Sequence, residues 1–203
     1  VGNFDGAPIE VYGDTIVQDL FELDVPYIET EAAVVMNVWM ACMNYVWEVL
    51  TQCRSQNKQR AMEALDKVAA LWIGRGQVEG SNDQGHLLYH VAENAGERFD
   101  QDFGETLVNE QFVGLLVEIQ TLVLSDACDT VEGYETMRDN VQRMVGVMTI
   151  PLVQNLIHHT MNVGNENGGK SDMVELYALS LIPRVAACDP EAYDTTLHLD
   201  VLR

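Results

Sequence analysis

The sequence predicts an all-α fold in which two related helical bundles pack together. Apolar residues recur at helical spacing along most of the chain, whereas the alternation typical of strands is confined to "IEVYG" near the start. Stretches rich in Gly and Asn separate the periodic segments. Hydrophobic residues make up 47% of the 203 residues, which is enough to bury a core and disfavours intrinsic disorder.

Helix-breaking residues such as Gly and Pro mark where the predicted helices begin and end. Residues 1–26 are rich in Gly and Pro, and we predict an irregular N-terminal arm there. The loops "GRGQVEGSNDQG" and "NVGNENGGKSD" are expected to end one helix and precede the next. Helices are predicted at residues 29–52, 58–74, 86–99, 110–125, 131–148, 152–162 and 172–187.

One stretch, "AAVVMNVWMACMNYVWEVL" at residues 32–50, is apolar enough and about long enough to span a bilayer. Asn37, Asn44 and Glu48 interrupt it, and acidic residues precede it where a basic anchor would be expected. We therefore interpret this stretch as the central helix of a bundle and expect no membrane insertion.

An internal repeat is the basis for two bundles. The segments "ALDKVAALWI" and "NVQRMVGVMT" share their apolar spacing, and each precedes a loop and then a helix that carries Leu-Tyr. We predict one repeat at residues 27–107 and a second at 108–203, within one compact domain. Leu-Asp-Val also recurs near both ends, as in a piece of a longer tandem array. The alternative is chance similarity between amphipathic helices.

The charge balance limits the classes of partner. The formal net charge is −21, and no basic cluster occurs along the chain. Nucleic acid and anionic membranes are therefore not expected as partners, whereas metal cations are. Alternatively, the carboxylates serve only solubility. The motifs GxxxxGK, GxSxG and HExxH are absent, so we do not expect an enzyme.

The four cysteines contain no CxxC pair, which argues against a zinc ribbon or a thioredoxin-type redox site. Two disulfides in a secreted chain are the simplest interpretation, and buried thiols in a cytosolic protein are the alternative. Of the three pairings, the one that joins Cys42 to Cys53 is disfavoured, because one helix would separate them by roughly 16 Å.

The stretch "GHLLYHVAE" at residues 85–93 carries the candidate metal ligands. His86, His90, Glu93 and Glu97 would share one face of a helix, and imidazole and carboxylate groups at this spacing can bind a transition metal. The same face points away from its own core, so a solvated surface is the alternative. The candidates for the remaining ligands lie on other predicted helices and are Glu118, His158 and His159. The expected metal is iron. Calcium is the less favoured choice, because the loops lack the EF-hand register.

Two resemblances to known families support this interpretation. The segments "ELYALSLIPRVAACDPEAYD" and "ALWIGRGQVEGSNDQGHLLYHVAE" resemble the repeated unit of the algal iron-assimilation proteins, also called the high-carbon-dioxide-inducible extracellular proteins, over most of residues 61–194. This resemblance implies an extracellular, periplasmic or cell-surface protein of an alga linked to iron capture. The "HVAE" at residues 90–93, with Gly85-His86 before it, is similar to the HxxE of imelysin-like iron-uptake proteins.

Together these observations predict a non-catalytic protein that binds or concentrates iron outside the cell. The alternative function is a structural or assembly module of an algal cell surface or extracellular filament. In that case the carboxylates would serve solubility or calcium binding, and the partner would be a second copy or another surface protein.

Overall fold

The computed structural model confirms a mostly helical chain and describes residues 3–4, 7–8, 12–22, 26–78, 85–102, 104, 106–164 and 171–188. Two strands of two residues each, β1 (Asn3–Phe4) and β2 (Ala7–Pro8), pair in antiparallel fashion. The α-helices are α1 (Tyr12–Phe21), α2 (Pro26–Ala32), α3 (Trp39–Arg54), α4 (Lys58–Ile73), α5 (Leu88–Glu97), α6 (Leu107–Leu124), α7 (Val131–Asn162) and α8 (Ser171–Cys188).

Local capping explains why α4 begins and ends where it does. The Asn57 side chain accepts a hydrogen bond of 3.2 Å from the backbone N–H of Arg60, which is the usual arrangement at a helix N-terminus. At the other end Gly74 adopts φ +76°, a left-handed conformation that glycine reaches without steric cost. The predicted helix at residues 58–74 is therefore confirmed nearly to the residue.

The prediction of an irregular arm at residues 1–26 is wrong for its second half. Helix α1 occupies part of that range, and Tyr12, Ile16, Val17 and Leu20 are all buried along one side of it. This amphipathic spacing outweighs the unfavourable helix propensity of Gly13, which lies in the first turn. The remaining arm residues 1–2, 5–6, 9–11 and 23–25 lie outside the described residues.

Pro151 does not separate two helices as predicted. Instead α7 runs without a break through Val131–Asn162, with the proline inside it. A proline in a helix interior removes one backbone hydrogen bond and costs about 3 kcal/mol. Met144, Met148 and Leu152 nevertheless stay buried at a four-residue spacing across this position. Continuous packing of the apolar side therefore compensates for the lost bond.

The apolar stretch at residues 32–50 is helical as predicted, but it is not uniform. A π-helical segment, Ala33–Val38, lies between α2 and α3. Inward-facing residues of α3, such as Val46 and Val49, are buried, as in the core helix of a bundle. Among the described residues, two helical stretches could cross a membrane by length and composition alone, and these are Ile28–Arg54 and Leu107–Leu124.

The chain divides into two compact units. Unit 1 comprises residues 1–36 and 155–203, and unit 2 comprises residues 37–154. This division does not coincide with the predicted boundary between the two repeats, which lies between residues 107 and 108. The two related repeats consequently remain a prediction.

Unit 1 is built around α1, α2, α8 and the last turns of α7. Helix α1 packs against α2, and α2 packs against α8. The Tyr12 hydroxyl donates a hydrogen bond of 3.1 Å to the carbonyl of Leu179 on α8. The Tyr177 hydroxyl of α8 donates to the carboxylate of Glu31 on α2. Both tyrosines are buried, so each adds packing area as well as a hydrogen bond between helices of this unit.

Unit 2 has a helical hairpin, α3 and α4, as its base. Helix α4 also packs against α5 and α6, and α5 packs against α6. The rings of Trp72 and Phe112 stack with their centroids 3.9 Å apart, which joins α4 to α6. The indole N–H of Trp39 donates a hydrogen bond of 3.0 Å to the carbonyl of Met148, which joins α3 to α7.

A disulfide crosslinks unit 2. Cys53, in the last turn of α3, bonds to Cys128 in a 3₁₀ turn (Ala127–Asp129) that follows α6. Beside it, the Lys58 ammonium donates to the carbonyl of Leu124 at 2.8 Å and to the carboxylate of Asp126 at 2.7 Å. A cation at the carbonyl end of a helix complements the helix dipole. The junction between α3, α4 and α6 is thus held both covalently and electrostatically.

The expectation of two disulfides is wrong, because Cys42 carries a free and fully buried thiol. Its Sγ donates to the carbonyl of Val68 at 3.7 Å, across the α3–α4 hairpin. Burial raises the pKa of this thiol to about 12, so it stays protonated at neutral pH. Cys42 therefore acts as a small core residue. The side chain of Cys188 lies outside the described part of the chain.

Candidate functional site

The predicted histidine pair lies at the start of α5. The helix begins at Leu88, so His86 precedes it and only His90 is on the helix itself. Their rings still approach, with centroids 6.2 Å apart and nearly perpendicular planes. His86 is exposed and His90 is half-buried. The two rings therefore lie side by side, although only one of the two residues belongs to the helix.

Glu93 contradicts the prediction that the His/Glu face points away from its own core, because its side chain is completely buried. Its carboxylate accepts three hydrogen bonds, from the Gly104 backbone N–H at 2.5 Å, the Thr106 hydroxyl at 2.7 Å and the Asn109 amide at 2.6 Å. Both carboxylate oxygens act as acceptors. Buried polar groups need such partners, because an unpaired one costs stability.

Asn109 extends this arrangement to a third helix. Its amide also donates to the carbonyl of Tyr89 at 3.0 Å, and its side-chain oxygen accepts from the indole N–H of Trp72 at 2.8 Å. Trp72 lies on α4, Tyr89 and Glu93 lie on α5, and Asn109 lies on α6. The carboxylate thus organises a polar network that ties the three helices together.

The other predicted ligands are placed apart from this network. Glu97 is exposed at the end of α5. Glu118 is not buried as its apolar neighbours suggested, because 54% of its side chain is exposed and it pairs with Arg143 at 3.7 Å. His158 and His159 belong to unit 1, where the His159 ring stacks on Tyr177 with centroids 5.8 Å apart.

Within the ranges that the structure describes, no three His, Cys, Asp or Glu side chains come together as ligands of a metal ion. The Glu93 carboxylate accepts three hydrogen bonds and is completely buried, so it is not open to a metal ion from solvent in this structure. Of the predicted set, only His86 and His90 lie side by side within unit 2 with an accessible ring.

A groove of about 690 Å³ opens beside the Glu93 network, which is a volume typical of ligand sites. Its walls come from the end of α4, the start of α5, the turn before α6 and the first turns of α6. The residues that line it are Ile73, Gln77, Tyr89, Gly104, Thr106, Asn109, Glu110 and Val113.

Sequence reasoning missed the partners of Glu93, although one signal was available. Asn109 interrupts the apolar stretch "TLVNEQFVGLL", and a polar residue on the inner side of a helix usually has a buried partner. Thr106 and Gly104 gave no signal of this kind, because their contacts with Glu93 depend on how α5 and α6 pack.

The geometry of unit 2 thus provides a histidine pair with one exposed and one half-buried ring, a buried carboxylate network and an adjoining groove. No protein-family model, curated protein or solved structure matches the chain.

Proposed function

We propose that the protein is a non-catalytic, secreted module of cell-surface assembly, and that its partner docks on the outer face of α6. This outer face consists of Val113, Gly114, Val117, Thr121 and Leu124. The exposed fractions of the three apolar side chains are 40%, 56% and 54% for Val113, Val117 and Leu124. Exposed apolar residues in one row mark interaction surfaces more often than residues scattered singly.

The inner side of α6 already forms part of the core of unit 2. Phe112, Leu115 and Ile119 are all buried there. A surface helix normally turns a polar side outward, whereas the outer side of α6 carries this apolar row beside the exposed Glu110 and Gln120, so we expect a partner to cover the row. This exposed row is the observation that carries the proposal. The Cys53–Cys128 disulfide supports secretion, because disulfides persist mainly in oxidising compartments.

Charge indicates the chemistry of the partner. Helix α6 contains Glu110 and Glu118 and no basic residue, and the whole chain has a net charge of −21. A second copy of the chain or an anionic membrane would be repelled. A segment with apolar residues at helical spacing and flanking Lys or Arg residues fits better, because its charge complements the surface that it would cover.

We expect an amphipathic Leu/Lys peptide of about 18 residues, long enough for five helical turns, to bind the native protein and to lose affinity at least tenfold with the Val117→Glu variant. The matched control is Val131→Glu, since Val131 is 78% exposed on α7. The measurement is isothermal titration calorimetry at physiological salt. Equal binding to both variants would reveal diffuse charge attraction and would overturn the docking face. Self-association of the native protein that Val117→Glu abolishes would replace the peptide partner with a second copy.

A second candidate function is the capture of iron. The observation that favours it is the pair formed by the exposed His86 and the half-buried His90, whose ring centroids lie 6.2 Å apart. Imidazole nitrogens are common ligands of transition metals, and the acidic exterior would raise the local concentration of cations. In this function calcium is the less favoured metal.

We expect the native protein, purified without chelator or nickel resin, to retain iron that the His86→Ala/His90→Ala variant loses. Metal content would be measured by mass spectrometry. The His158→Ala variant is the control, because that histidine lies on α7 in unit 1. Equal metal content in native and doubly substituted protein would exclude the pair as the site.

A further inference from the structure

The groove beside α5 and α6 has an electrostatic feature that the proposed docking face does not explain. Glu93 is fully buried and lies next to this groove, and the three residues that donate to its carboxylate are themselves groove residues. These residues are Gly104, Thr106 and Asn109. Only one layer of neutral hydrogen-bond donors therefore separates the carboxylate from the groove.

No residue in the described part of unit 2 supplies a counter-ion to the Glu93 carboxylate. All three of its donors are neutral, and among the residues that the structure describes no Lys, Arg or His side chain forms an ion pair with it. A buried charge is screened much less than an exposed one. The residues that line the groove include no Lys, Arg or His, so no positive charge on its walls offsets a carboxylate beside it.

A second carboxylate, that of Glu110, lies on the groove wall and is exposed. The remaining surface includes the apolar side chains of Ile73 and Val113. Two negative charges beside an apolar wall fit a ligand with a cationic head and a short hydrocarbon stem. Such a ligand gains charge attraction at its head and apolar contact along its stem.

We infer that this groove binds an alkylammonium or guanidinium group, namely the head of a Lys or Arg side chain of the docked partner. The assignment to a partner rests on the proposed function, because Val113 belongs both to the groove and to the outer face of α6. The binding of the cationic group itself depends only on the groove. The partner segment would lie along α6 and place one basic side chain between Glu110 and the Glu93 network.

The test uses N-butylguanidinium as the probe and N-butylurea as its neutral analogue, with binding followed by amide chemical shifts in NMR. We expect N-butylguanidinium to shift the amide signals of Gly104, Thr106 and Asn109, and N-butylurea to leave them unchanged. The Glu110→Gln variant should weaken binding about tenfold. The matched control, Glu118→Gln, removes the same charge from another exposed position on α6 and should bind as the native protein does.

Each other outcome has a definite meaning. Equal binding of the urea and the guanidinium would overturn the cation site, and so would equal weakening by the two glutamine variants. If the Leu/Lys peptide docks but N-butylguanidinium does not bind, the groove inference fails and the proposed function stands. If N-butylguanidinium binds to the native protein and to Val117→Glu while the peptide binds to neither, the groove stands and the docking face fails.

Discussion

Reduction of the Cys53–Cys128 disulfide is expected to lower the free energy of unfolding of unit 2 by about 4 kcal/mol. The two cysteines are 75 residues apart in sequence, and α4, α5 and α6 lie between them. A crosslink over so long a loop removes much of the conformational entropy of the unfolded chain, and this is the main source of its effect in the loop-closure account.

Urea denaturation with and without dithiothreitol measures this loss as a shift of the transition midpoint. The Cys53→Ala/Cys128→Ala variant should give the same midpoint in either condition, close to that of the reduced native protein. The Cys42→Ala variant is the matched control, because it removes a buried sulfur without removing a crosslink. A native midpoint that dithiothreitol leaves in place would contradict the stabilising role of the bond.

Replacement of Glu93 by Gln is expected to destabilise unit 2 by about 3 kcal/mol. The substitution keeps the size of the side chain, but it replaces one carboxylate oxygen, an acceptor, with an NH2 group, a donor. That NH2 group would face other hydrogen-bond donors. The Gly104 N–H, the Thr106 hydroxyl and the Asn109 amide cannot all find an acceptor in glutamine. A buried donor without a partner costs roughly 1–3 kcal/mol, so two such losses give the expected size.

The matched control for this substitution is Glu97→Gln, one turn further along α5, where the side chain is exposed. It should change the free energy of unfolding by less than about 0.5 kcal/mol. The measurement is chemical denaturation, together with hydrogen exchange at the Gly104 amide, which should quicken only in Glu93→Gln. Equal stability of the two variants would mean that the Glu93 network does not hold the three helices together.

The helical periodicity of the sequence was enough to predict most of the helices. The α4 boundaries follow from apolar spacing, the Asn57 cap and the glycine after the helix, all of which are local in sequence. Pro151 and the N-terminal glycines misled the prediction, because tertiary packing outweighed local propensity at α7 and α1. A π-helical segment inside an apolar stretch leaves the sequence pattern almost unchanged, so periodicity could not indicate Ala33–Val38.

The candidate site was harder to predict, because its contacts connect residues that are distant in sequence. Glu93 accepts hydrogen bonds from Thr106 and Asn109, and their separations of 13 and 16 residues exceed the range of helix periodicity. The same limit applied to the cysteines. Spacing disfavoured the pairing of Cys42 with Cys53, but only the packing of α3, α4 and α6 brings Cys53 next to Cys128.

The disulfide has one more consequence, for resistance to proteolysis. Because it closes a covalent ring around α4, α5 and α6, a protease that cuts once between Ile73 and Leu88 leaves both fragments joined through Cys53 and Cys128. A nicked molecule therefore remains one covalent particle, and its helices can reassociate without a search through solution. A second cut within the ring would release only the segment between the two cuts, and reduction of the disulfide is needed to separate the piece that holds Cys53 from the piece that holds Cys128.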